Sequence, residues 1–99
     1  MLFRSPFDQV NVIREAVGDK LEIILDGGVR RGTHVLKALA AGATACSFGK
    51  MFLFALSAGG QPGVERLLQN MHDEINRNMV LMGCKTLKEL DASKLIYRK

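Results

Sequence analysis

Tryptophan is absent, tyrosine occurs once, and cysteine and proline occur twice each. Cys46 and Cys84 lie far apart, with no CxxC pair and no Cys/His ligand spacing around them, which excludes a disulfide framework and a zinc site and leaves two reduced thiols. Long apolar runs are also missing. The longest, Met51 to Ala58, falls far short of the roughly 20 residues a membrane-spanning helix needs. Met1 to Phe7 holds no extended apolar region followed by a small-residue cleavage site, so it does not read as a secretion signal, and the cytoplasm is the expected compartment. Charge of one sign is not concentrated either. The net charge of +4 and pI near 9.4 permit an anionic ligand, but the cations are scattered and five of the six aromatics are Phe in apolar surroundings. A nucleic-acid binder calls for clustered cations interleaved with exposed rings, so no such partner is expected.

What is present fits one soluble domain at most: 99 residues, 47% hydrophobic and 24% charged, with no low-complexity segment. Ser5-Pro6-Phe7-Asp8 predicts a helix start, with Ser5 as cap, Pro6 in the first turn and Asp8 completing a capping box. Val10, Ile13 and Val17 form its apolar stripe and Gly18 stops it. Leu21 to Leu25 is nearly continuous in its apolarity, as a parallel strand covered on both faces should be, and ends at Asp26-Gly27-Gly28. A second helix is predicted from about Thr33 to Gly42, with Val35, Leu36 and Leu39 on one face and alanines allowing close packing. A second strand, Thr44 to Phe48, runs into Gly49-Lys50. A short helix over Met51 to Ala58 is broken by Gly59-Gly60-Gln61-Pro62-Gly63. The long helix from Val64 carries Leu67, Leu68, Met71, Ile75, Met79 and Met82 on one face and Glu65, Arg66, Asp73, Glu74 and Arg77 largely on the other, until Gly83. Thr86-Leu87-Lys88-Glu89 is a second capping box, opening a short terminal helix.

Strands alternating with helices imply an α/β fold with right-handed crossovers and a parallel sheet. Two strands alone would leave parallel edges open, so the architecture reads as incomplete. Asp26-Gly27-Gly28-Val29-Arg30-Arg31-Gly32 follows the first strand and Gly49-Lys50 the second. Ligands of α/β folds bind at strand carboxyl ends, and in eight-stranded barrels the last two such loops often hold a phosphate. Glycines let backbone N–H groups approach an anion, a helix N-terminus adds a favourable dipole, and Arg30 and Lys50 add charge. Taken by pattern alone, the same residues could be ordinary turns and solvated cations; the matching strand ends favour the anion.

These segments, Leu25 to Thr33, Lys37-Ala38-Leu39-Ala40, Gly42-Ala43, Gly49-Lys50, Gly63-Val64, Leu81 to Cys84 and Thr86 to Leu90, resemble the end of the FMN-dependent 2-hydroxy acid dehydrogenase and oxidase family, which includes glycolate oxidase, lactate oxidase and the cytochrome type of L-lactate dehydrogenase. The resemblance covers nearly the whole chain. It implies the C-terminal portion of a (β/α)8 TIM barrel: helix six, strands seven and eight with their helices, and the C-terminal extension. It also implies FMN as cofactor, with Asp26 at the ribityl chain, Gly28, Arg30, Gly49 and Lys50 at the phosphate, and Gly27 also among the cofactor-binding residues. One departure stands out. The family usually has Arg at position 50, and lysine keeps the charge but loses the bidentate fork.

The family's catalytic histidine and its carboxylate-gripping arginine lie in a His-Gly-x-Arg-Gln segment that this sequence does not contain, so no catalytic residue is assigned. His34 and His72 read as surface or packing histidines. The implied reaction, oxidation of a 2-hydroxy acid to the 2-oxo acid with hydride passing to FMN, is therefore not expected of these 99 residues alone. A peripheral membrane association of the whole enzyme is compatible with the family. Expected partners are the 2-hydroxy acid substrate of the full enzyme and either the remaining barrel segments or further copies of the chain. Two other readings are a non-catalytic, self-associating phosphate-binding barrel piece and part of a barrel resembling inosine-monophosphate dehydrogenase; Arg30-Arg31-Gly32 and the segment from Leu81 to Leu90 speak against the latter.

Overall fold

The computed structural model describes residues 5–96. Its elements run α1 (Pro6–Val17), β1 (Ile24–Asp26), α2 (Gly32–Ala41), β2 (Ala45–Ser47), α3 (Lys50–Met82) and two 3-10 turns, Leu87–Glu89 and Ala92–Lys94. β1 and β2 pair in parallel, with Ile24 opposite Ala45, Leu25 opposite Cys46 and Asp26 opposite Ser47. The order is that of an α/β unit with α2 as the crossover between the two strands.

α1 starts as its sequence dictates. Ser5 is extended, its hydroxyl accepts the Asp8 N–H at 3.2 Å, and Pro6 fills the first turn, where a missing N–H costs nothing. Its inward face differs from the apolar stripe expected. Val10 is 2% exposed, but Ile13 is 42% exposed, and the residue that turns inward one helical turn after Val10 is Arg14. The reason is polar. Arg14 Nε donates to the Gly42 carbonyl at 2.9 Å, Nη1 to the carbonyls of Gly18 (2.7 Å) and Leu21 (2.9 Å), and Nη2 to the Thr44 hydroxyl (3.2 Å). The Thr44 hydroxyl also accepts the Ile23 N–H at 3.0 Å. One guanidinium thus gathers the segments entering both strands, satisfying carbonyls that a helix end and two loops leave over.

Both strands are shorter than expected, and β1 is covered on one side only. Leu25 is buried, whereas Ile24 is 64% exposed and Leu21 lies out in the approach to the strand. The ladder cannot begin at Leu21, because the Leu21 carbonyl and Ile23 N–H are taken by Arg14 and Thr44 side chains. The core lies on the α-helical side: Val10, Leu25, Val29, Ala38, Ala41, Ala43 and Met71 form one buried cluster. Leu36, Ala40, Cys84 and Leu90 form a second under the C-terminal turns. α2 fits between its neighbours through small residues, Ala38 being fully buried. It ends at Gly42, whose φ of +119° is readily adopted only by glycine.

α3 is two helical runs joined at Gly60 (φ +61°, ψ −146°). A Cβ on Gly63 would meet the Ala55 carbonyl oxygen. In a straight helix those residues lie about 12 Å apart along the axis, so the chain bends sharply there. This is the break expected at Gly59 to Gly63. In the second run Leu68 is exposed and Glu74, expected on the outer face, turns toward α2. The expected terminal capping box does not form: Glu89 Oε2 accepts the N–H of Lys85, one residue before the cap, the Thr86 side chain caps nothing, and the segment closes as a 3-10 turn.

Candidate functional site at the strand carboxyl ends

Because β1 and β2 are adjacent and parallel, the chain leaves both at the same end of the sheet. The last paired residues are Asp26 and Ser47. Gly27 and Gly28 follow the first and Phe48 and Gly49 the second, so the register carries the two glycine loops forward side by side. Asp26, Gly27, Gly28, Arg30, Gly49 and Lys50 are all exposed.

The backbone explains the residue types. Gly27 (φ +100°) and Gly28 (φ +77°) lie where a side chain is strained. A Cβ on Gly28 or on Gly49 would meet nothing within 4 Å, so open room lies beside both. Val29 is buried and anchors the loop between its two exposed portions. The Arg30 N–H donates to His34 Nδ1 at 3.0 Å, turning the loop into α2. His34 can accept only while neutral, and its pKa lies below the usual histidine value because of burial first, and then the positive charges of Arg30, Lys37 and Arg31. His34 is therefore a packing and capping residue of the loop.

The two helix N-termini at this end differ. At α2, the Thr33 N–H donates to Glu74 Oε1 at 3.0 Å and the Thr33 hydroxyl donates to the same oxygen at 2.6 Å. Arg31 donates to Glu74 Oε2 through Nε (3.3 Å) and Nη2 (3.2 Å), and Asn78 Nδ2 donates to the Thr33 hydroxyl at 2.8 Å. A carboxylate from α3 already occupies the positive end of α2. The Thr33 hydroxyl and N–H, followed by Arg31, hold the Glu74 pKa at about 2, against an ordinary 4.5. At α3, by contrast, Gly49 is the cap residue, no side chain caps the helix and no acidic residue stands in its first turn. Its dipole is open to an anion. Among the described residues neither Arg30 nor Lys50 is in an ion pair.

The sequence reading found the loops and missed Glu74, Thr33, Asn78 and Arg14. Each has a partner 28 to 45 residues away, beside two nearer ones for Arg14, and no local pattern marks such pairs. Cys46 is half-buried against the Val35 carbonyl, burial raising its thiol pKa, and Cys84 is buried; both are free thiols.

Comparison with known proteins bears on this end of the fold. The chain is 44% identical over 89 residues to the L-lactate oxidase of a Nostoc species, matching 90% of this chain and 24% of that protein. It is 48% identical over 82 residues to the glycolate oxidase of Spinacia oleracea, matching 83% of this chain and 22% of that protein. Among solved structures, a mandelate oxidase mutant with a monooxide FMN adduct superposes with a TM-score of 0.80 at 39% identity, over 83% of this chain and 26% of that one. The chain therefore spans about a quarter of the length of these relatives. The sequence model of the FMN-dependent dehydrogenase family matches residues 3–97, and the chain belongs to that family, whose cofactor is FMN.

Proposed function

We propose that this chain is the FMN-phosphate-binding, C-terminal part of a (β/α)8-barrel flavoprotein that oxidises 2-hydroxy acids to 2-oxo acids. The observation carrying this reading is the parallel register that brings two glycine-and-cation loops out at one end of the sheet, next to an uncapped helix N-terminus. The residues present suit the group chemically. Gly28 and Gly49 leave space for close approach, Arg30 and Lys50 are in no ion pair among the described residues, and Asp26 is an exposed carboxylate able to accept from sugar-alcohol hydroxyls. In this arrangement the Arg30 guanidinium and Lys50 ammonium hold the phosphate dianion, the N–H groups opening α3 donate to it, and Asp26 orients the ribityl chain. FMN, when bound, supplies the two-electron acceptor. The names of the relatives, L-lactate oxidase and glycolate oxidase, support a small 2-hydroxy acid as the substrate of the whole protein. No residue of this chain is assigned to proton transfer, and none is expected to support turnover on its own.

Titration of the chain with FMN and with riboflavin, which lacks the phosphate, tests the reading. FMN should bind at least about tenfold more tightly, since each charge-assisted bond to phosphate is worth about 1.5–3 kcal/mol, and inorganic phosphate should compete. Equal affinity for the two flavins, or no FMN binding, would refute it.

A second reading, a non-catalytic piece that associates with itself or with other barrel segments, is favoured by the exposed Leu21, Ile24, Phe52, Leu53, Phe54 and Leu56. Sedimentation separates the two states. A stable monomer at micromolar concentration counts against self-association.

A further inference from the structure

We infer that Glu74 is a positioning residue of the anion site: it closes the N-terminus of α2 and sequesters Arg31, so that phosphate is held by Arg30, Lys50 and the start of α3. This inference rests on the phosphate-binding reading above and assigns which donors that reading can use. The sequence offers two adjacent arginines and two helix N-termini, and by composition alone any of the four could hold the anion. The geometry separates them.

Glu74 Oε1 takes both donors of Thr33, and Oε2 takes the Arg31 fork. The Glu74 side chain is only 17% exposed, while that of Arg31 is 68% exposed. An anion approaching Arg31 would therefore meet an ionised carboxylate within about one hydrogen-bond length of the guanidinium, and like-charge repulsion at that range opposes it. Arg30 has no such neighbour among the described residues, and its own N–H is fixed by His34, which sets where its side chain leaves the loop. The placement of Glu74 is itself fixed. A Cβ on Gly32 would lie 2.7 Å from the Met71 carbonyl oxygen and 3.0 Å from Glu74 Cβ, so the backbone of α3 rests directly on the first turn of α2. The first run of α3 thus offers its N-terminus to the anion, while the second run blocks that of α2.

Amide NMR of the chain, titrated with inorganic phosphate and separately with FMN, reads each donor individually. In the wild type the amides of Gly28, Gly49 and Lys50 should shift with phosphate and that of Thr33 should not. R30Q should weaken binding at least about tenfold, the loss expected of one charge-assisted hydrogen bond. R31Q should change it less than about threefold. Both arginines are exposed, but R31Q gives up the ion pair to Glu74, so circular dichroism checks that each variant is folded before titration. E74A should open Thr33, whose amide then gains a phosphate-dependent shift, while E74Q, which keeps an acceptor oxygen, should leave it silent. R31Q weakening phosphate as much as R30Q, or a phosphate-dependent Thr33 shift in the wild type, would overturn the role of Glu74 and leave phosphate binding standing. Absence of any shift at Gly28, Gly49 and Lys50 would overturn the phosphate reading itself, and the inference with it.

Discussion

Replacing Arg14 by alanine removes four hydrogen bonds at once, and their sizes can be set from their surroundings. The bond from Nε to the Gly42 carbonyl is partly buried, and a charge-assisted bond in such a setting contributes about 1.5–3 kcal/mol. The bonds to Gly18, Leu21 and Thr44 are exposed, so water replaces them at a cost of only a few tenths of a kcal/mol each. The side chain also covers Gly42, where its Cγ and Cβ stand 3.1 and 3.2 Å from where a glycine Cβ would be. Together these give a loss of about 3 kcal/mol. For a domain of this size that is roughly 12–24 °C in Tm. Urea denaturation followed by circular dichroism measures it, with R14K as the control that keeps charge and alkyl stem but can reach fewer of the four acceptors. R14K should fall between wild type and R14A. A loss below about 1 kcal/mol for R14A would show that the guanidinium bridges segments that hold their places without it.

Three further outcomes follow from other contacts. G32A must push a methyl to within 2.7 Å of the Met71 carbonyl oxygen and should cost about 1–3 kcal/mol in urea denaturation, as overpacking does; a neutral result would mean α3 does not rest directly on the first turn of α2. Glu74 has a folded pKa of about 2, below its unfolded value near 4.5, so the unfolded chain binds the proton more readily. Its contribution is complete above about pH 4.5 and is lost as pH falls toward 2; acid unfolding of E74Q should show a shallower slope across that window, and an identical slope would contradict the assignment. K50R should tighten FMN about three- to tenfold by restoring a two-pronged donor, measured by flavin fluorescence, and unchanged affinity would place position 50 away from the phosphate.

Much of the fold is legible locally because its boundaries are local chemistry. Ser5 and Pro6 start α1, and Gly18, Gly42 and Gly83 stop helices, in each case by a backbone angle or a cap that a neighbouring residue decides. The loops at Asp26 to Arg31 and Gly49-Lys50 are legible for the same reason. What the pattern misplaces are faces. Periodicity assigns Ile13 to the inner side of α1, and Arg14 takes that side because four oxygens converge there, two from the chain just after the helix (Gly18, Leu21) and two from about 30 residues away (Gly42, Thr44). Glu74 fell on the polar side of the long helix by periodicity, and it turns inward because an uncapped helix start and an arginine await it. Periodicity orders residues by hydrophobicity, and a half-buried hydrogen-bond partner 41 residues away has no representation in it. The expected two-sided cover of β1 failed on similar grounds, since the described residues supply helices to one face only.

The bend at Gly60 decides where the chain can change length. From Gly49 to Glu74 the chain works as a ruler folded once, with one end at the second loop and the other at the first. Adding or removing a residue within either arm would rotate everything beyond it by about 100° and swing Glu74 off Thr33. At the fold of the ruler, around Gly59 to Gly63, an inserted residue need not be carried along either arm. Tolerance to insertion should therefore be concentrated in those five residues and fall away sharply on both sides.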